Sequence, residues 1–169
     1  MIPASMSDLV NFARRAGWTP YFPPNALFGF GTGDPNDICT REDGHFVVRK
    51  EERGVVSQPL IRADNLTDID KFLSFRYGPD ARKRAGLTEI WLTVDPVTPG
   101  THRNGYDFAG TFGDLSVSWL EDGVAHEVSG LGRFDAAQWE QYSRFSAEEI
   151  RSAFLQEDGI PLFWQTQDG

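Results

Sequence analysis

The chain has 169 residues, 40% of them hydrophobic and 13% aromatic, with thirteen Phe and five Trp. That is material for one domain with a sizeable core, and it excludes an intrinsically disordered polymer. A formal charge of −9 opposes phosphate backbones and anionic lipid, so neither general nucleic-acid binding nor membrane binding is expected, and no apolar run approaches the roughly 20 residues of a spanning helix.

The N-terminal Met1-Ile2-Pro3-Ala4-Ser5 has no basic stretch followed by an apolar run, so no secretory signal is expected. Ser5 or Ser7 opens a first helix. Met6, Leu9, Val10, Phe12 and Ala13 share one face, Arg14 and Arg15 sit at the cation-favouring end, and Gly17 stops it. Trp18 to Pro24 reads as an extended aromatic and proline connector, because proline removes backbone donors. Gly29-Phe30-Gly31-Thr32-Gly33 superficially resembles a nucleotide loop, but Asp34-Pro35-Asn36-Asp37 continues the turn where a helix start is needed. It is expected to be a flexible turn.

Ile38 to Ile61 is the clearest stretch of the chain. Three β-leaning runs are separated by Glu42-Asp43-Gly44 and by Glu51-Glu52-Arg53-Gly54, which predicts an antiparallel meander. The single cysteine, Cys39, excludes an intrachain disulfide. Placed beside Ile38 in a strand, it is expected to be a buried, inert thiol, and it points to a reducing compartment.

Thr67 and Asp70 predict a capping box for a helix with Leu66, Ile69, Phe72, Leu73 and Tyr77 on its apolar face, ended by Gly78-Pro79. Arg82, Lys83 and Arg84 are then expected on a solvated turn. A second β block follows, with strand candidates at Glu89–Val94, Tyr106–Phe112, Leu115–Trp119 and Val124–Val128. Two C-terminal helices follow, one capped by Asp135 with Gln138 and carrying Trp139 and Tyr142 inward. The other is capped by Ser146 with Glu149, with Ile150, Ala153 and Phe154 apolar. Ile160 to Trp164 adds an edge strand or packs on the core. Strands followed by helices, without βαβ alternation, predict an α+β fold: an antiparallel sheet built from two meanders, with helices packed on one side.

Reactive chemistry is not evident. His45, His102 and His126 stand apart from Cys39 and from one another, so no metal site is expected, and there is no Gly-x-Ser-x-Gly elbow. The acidic pairs occur at turns, where carboxylates are usually solvated. No catalytic residue and no cofactor is assigned; a small enzyme such as a hydrolase, or a structural interaction module, stays open as an alternative.

Several short motifs occur together: Gly17-Trp18 with Tyr21-Phe22-Pro23, Arg41-Glu42-Asp43-Gly44 with Val47-Val48, Glu52-Arg53-Gly54, and Ile90-Trp91-Leu92. In this the chain resembles the immunity protein 61 family of polymorphic toxin systems, which is similar to the immunity factor for the tuberculosis necrotizing toxin. The resemblance implies that residues 1–169 form a single immunity-protein-like domain, a cytoplasmic, non-enzymatic inhibitor. The partner it implies is a cognate protein toxin, an NAD glycohydrolase whose NAD-binding cleft is obstructed. It supplies no contact residues.

Those come from the residues themselves. The polar connection Asp95 to Gly105 is expected to enter the partner's cleft. Pro96 and Pro99 limit its unbound conformations, Gly100 and Gly105 permit close approach, and Thr98, Thr101, His102, Arg103 and Asn104 supply donors and acceptors. The turn Glu42-Asp43-Gly44 is expected as a secondary contact.

Overall fold

Four two-residue turns shape the sheet. Asp43-Gly44, Arg53-Gly54, Asn104-Gly105 and Asp122-Gly123 all have positive φ at both residues, the geometry whose twist matches that of flanking strands. In the computed structural model, which describes residues 2–163, these turns join β3 (Asn36–Glu42) to β4 (His45–Glu52), β4 to β5 (Val55–Ala63), β6 (His102–Arg103) to β7 (Tyr106–Thr111), and β8 (Asp114–Glu121) to β9 (Val124–Leu131). With β1 (Thr19–Tyr21) and β2 (Phe28–Gly31), the nine strands form one sheet in the order β1-β2-β3-β4-β5-β9-β8-β7-β6. Each pairing is antiparallel, and the two meanders meet where Arg62 faces Ser129 and Ala63 faces Val128. The α+β architecture expected from the sequence is therefore the one the chain adopts.

One face of the sheet carries Phe28, Phe30, Cys39, Val48, Ile61, Ala63, Val128, Val117 and Phe108, all buried in a single core. Against it pack α1 (Ser7–Arg15), α2 (Leu66–Arg84), α3 (Arg133–Tyr142) and α4 (Ala147–Leu155). The predicted inward residues Trp139, Tyr142, Ile150, Ala153 and Phe154 are buried, and Ser146 and Glu149 form the predicted capping box. Leu162 and Phe163 join the core; Trp164 lies outside the described residues. No helix among the described residues is long and apolar enough to cross a membrane.

Five local expectations are corrected. Glu89–Val94 is not a strand. Its alternation is real, since Leu92 is buried and Trp91 exposed, but the inward residues face the helices, where no strand offers a ladder. Gly29–Gly33 is not wholly a turn: Phe28 and Phe30 pull residues 28–31 into the core as β2, between β1 and β3. The cap of α2 is Asn65, whose side chain accepts from the Asp68 N–H, not Thr67. The cap of α3 is Gly132, with Asp135 in the first turn.

The fifth concerns Gly78-Pro79, which does not end α2. A Cβ at Gly78 would lie 2.1 Å from the Phe154 ring, so the glycine is there for the close crossing of α4, and tertiary packing outweighs its low helix propensity. The extra turn places Arg82 inside the protein, 2% exposed, rather than in solvent.

A second buried charge lies on the core side of β3. Asp37, 1% exposed, accepts from Arg76 Nε at 2.6 Å and Nη2 at 3.0 Å. Burial opposes the Arg76 charge, but the Asp37 carboxylate outweighs it and raises the guanidinium above its ordinary value. Cys39 is the expected buried thiol, 1% exposed, and burial pushes it up to about 12. Cys39→Ser should therefore lower stability by about 1–3 kcal/mol, because a hydroxyl in that site lacks a good partner. An unchanged melting temperature in the folded variant would contradict a structural role.

Candidate functional site

Segment 95–105 is anchored before it becomes exposed. Val97 is buried and its N–H donates to the Arg133 carbonyl at 3.3 Å. The Gly100 N–H donates to Phe108 O at 2.7 Å, and the Phe108 N–H to Thr101 O at 2.9 Å. His102 and Arg103 then pair with Asp107 and Tyr106. The segment thus runs along β7 as the last strand of the sheet instead of projecting as a free loop. Asn104-Gly105 is a hairpin turn, a signal legible in the sequence as Asn-Gly.

This hairpin is held from below by Glu140 of α3, whose side chain is fully buried. One carboxylate oxygen accepts from Arg103 Nε at 2.8 Å and also from Nη2; the other accepts from Asn104 Nδ2 at 2.6 Å. Thr98 and Thr101 bond through their hydroxyls at 3.2 Å, and His102 Nδ1 lies 2.7 Å from Asp107 Oδ1. Thr98, Gly100, His102, Asn104 and Gly105 are exposed, and Thr101 and Arg103 half-buried. Of the predicted contact residues, then, Arg103 commits its guanidinium inward while Thr98, Thr101 and His102 face outward as a fixed polar edge.

Glu42-Asp43-Gly44 sits at the same end of the sheet. The registers place the β3–β4 and β6–β7 turns on one side, with β5, β9 and β8 between the hairpins. Four strand spacings separate β4 from β7, roughly 20 Å. Glu42 is engaged: it accepts from Arg49 Nη2 at 2.9 Å and Nε at 3.3 Å, and from the Thr40 hydroxyl at 2.7 Å. The bonds from Arg49, then that from Thr40, hold its carboxyl below the ordinary value. Asp43 and Gly44 are exposed.

On the face away from Val117 and Val128, Glu127, Ser118, Asp107 and His102 form one cross-strand row. In the other meander, His45 bonds Asp64 at 2.7 Å. The third histidine, His126, stacks on Trp119 with ring centroids 5.4 Å apart. No group of three or more His, Cys, Asp or Glu among the described residues could hold a metal.

Two structural supports escaped the sequence reading. Glu140 was detectable: it is four residues from Ala136 and adjacent to Trp139, both buried, so a carboxylate falls on the apolar stripe of α3. The pairing of Asp37 with Arg76, thirty-nine residues apart, left no local signal.

The chain shares its fold with a solved structure, Rv3902c from M. tuberculosis, at a TM-score of 0.73 and 17% identity, covering 96% of this chain and 97% of that one. No curated protein matches the sequence. The model of the family described as immunity protein 61 matches residues 12–162, a span that takes in both meanders, all of α2 and α3, the Glu42–Gly44 turn and the Glu140-braced hairpin. The chain therefore belongs to the immunity protein 61 family.

Proposed function

We propose that this chain is a cytoplasmic antitoxin that acts as a single non-enzymatic domain, binding a cognate NAD glycohydrolase toxin and obstructing its NAD-binding cleft. Membership of an immunity protein family supports the antitoxin role. The observation that carries the placement is the bracing of the 103–104 hairpin on buried Glu140. Ordering a loop costs free energy at binding, and an edge already fixed by internal bonds avoids much of that cost. The outward residues Thr98, Gly100, Thr101, His102, Asn104 and Gly105 form the principal contact. Glu42, Asp43 and Gly44 form the secondary one, with the Glu42 carboxylate held charged and in place by Arg49. Arg103 positions the hairpin.

The test replaces Thr98, Thr101 and His102 with alanine and keeps Arg103 and Asn104. Surface changes of this kind move stability by no more than about 0.5 kcal/mol each, so the melting temperature should hold. Affinity for the toxin should fall at least about tenfold, roughly 1.4 kcal/mol. A folded triple variant that binds as tightly as the parent would move the contact to another surface.

A further inference from the structure

Segment 87–98 leaves Trp91 64% exposed at a cavity of about 230 Å³ among α2, α3 and α4. Its walls include Phe72, Phe75, Tyr142, Phe154 and Phe163. Phe75 and Tyr142 stack with centroids 4.1 Å apart, and Phe154 meets both Phe75 and Phe163 edge to face, so the walls are set before anything enters. Three polar side chains reach the cavity: Arg76, Asp135 and Gln138. Arg76 is already committed to Asp37 by two hydrogen bonds. Asp135 accepts a backbone hydrogen bond from Gly132 and feels the Arg76 charge without bonding to it; with Arg76 paired to Asp37, the three groups together leave one net negative charge beside the cavity. A preformed aromatic cavity with an exposed tryptophan on its lining is where a buried anchor contributes most to an interface.

We propose that this cavity receives an aromatic side chain of the toxin that is carried beside a cationic group, the ring entering between the aromatic walls and the cation settling between Asp135 and the face of Trp91. The proposal rests on the reading of the chain as a toxin-binding protein. α3 lies between the cavity and the hairpin: Asp135, Gln138 and Tyr142 line the cavity, and Glu140, on another side of the helix, holds the hairpin. The chain's charge of −9 has the sign that attracts such a partner.

Two probes with one ring and opposite charges test the chemistry on the full chain: 2-phenylethylamine and 3-phenylpropionate, followed by the NMR signal of the Trp91 indole, assigned with Trp91→Phe. The amine should shift that signal saturably, and the acid should bind at least about tenfold more weakly. In Asp135→Asn the two affinities should come within about twofold of each other. Equal or tighter binding of the acid to the parent chain, or no shift with either probe, overturns the proposal. One equivalent of the cognate toxin should then displace the amine. A toxin that binds and is inhibited while the amine stays in place overturns the anchor and leaves the toxin-binding reading standing.

Discussion

Arg82→Met is expected to lower the melting temperature by roughly 10 °C, the shift that about 4 kcal/mol produces in a chain of this size. Arg82 is 2% exposed. Its Nε donates to Thr88 O, Nη1 to Phe154 O at 3.3 Å and Gln156 O at 2.5 Å, and Nη2 to Glu157 O at 2.8 Å. One guanidinium thus ties the last turn of α2 to the start of segment 87–98 and to the end of α4. The final carbonyls of any helix lack intrahelical partners, and here the residue after α4, Gln156, is extended, so Arg82 supplies what a glycine cap would supply elsewhere. Methionine fills much of the volume and donates nothing; the Gln156 carbonyl keeps the Gly159 N–H at 3.2 Å, but each of the others left buried without a partner costs about 1–3 kcal/mol. Arg82→Lys should recover less than half of the loss, because an ammonium lacks the planar fork that reaches several carbonyls at once. A drop of only a few degrees in thermal unfolding of the methionine variant would mean that these carbonyls find water instead.

Arg103→Ala should cost about 3–5 kcal/mol, the range for removing one partner of a buried ion pair. The remaining Glu140 carboxylate is fully buried, and Asn104 Nδ2 is the other side-chain donor bonded to it. Adding Glu140→Gln should recover part of the stability, since an amide carries no charge to desolvate, yet the hairpin would still lack its brace. Affinity for the toxin should therefore stay reduced in the double variant even where it is fully folded. Denaturant unfolding of the single and double variants gives the first comparison and toxin titration the second. A double variant that regains stability and also full affinity would show that the brace serves folding alone.

These supports explain how much of the molecule could be read in advance. Asp43-Gly44, Arg53-Gly54 and Asp122-Gly123 set the hairpins, and the alternation of Leu115, Val117 and Trp119 set a face, so both meanders were legible. What failed had non-local causes. Gly78-Pro79 reads as a helix stop until Phe154, seventy-six residues later, needs the space above Gly78. Arg82 reads as solvated until three carbonyls from the end of α4, more than seventy residues on, converge on it with that of Thr88. Glu89–Val94 has a strand's alternation, but its inward side chains meet helices. For the candidate site, composition marked segment 95–105, while its attachment depended on Glu140, thirty-seven residues beyond Arg103. Asn104-Gly105 alone would have shortened the loop to a hairpin.

Titration of the cognate toxin with this chain, with NAD hydrolysis as the readout, tests the central claim most directly. NAD hydrolysis should fall to zero at one chain per toxin, and the chain alone should show no NAD turnover. Binding should exclude NAD, so that raising the NAD concentration weakens the inhibition. A folded chain that binds the toxin at saturation and leaves NAD hydrolysis running would contradict obstruction of the cleft.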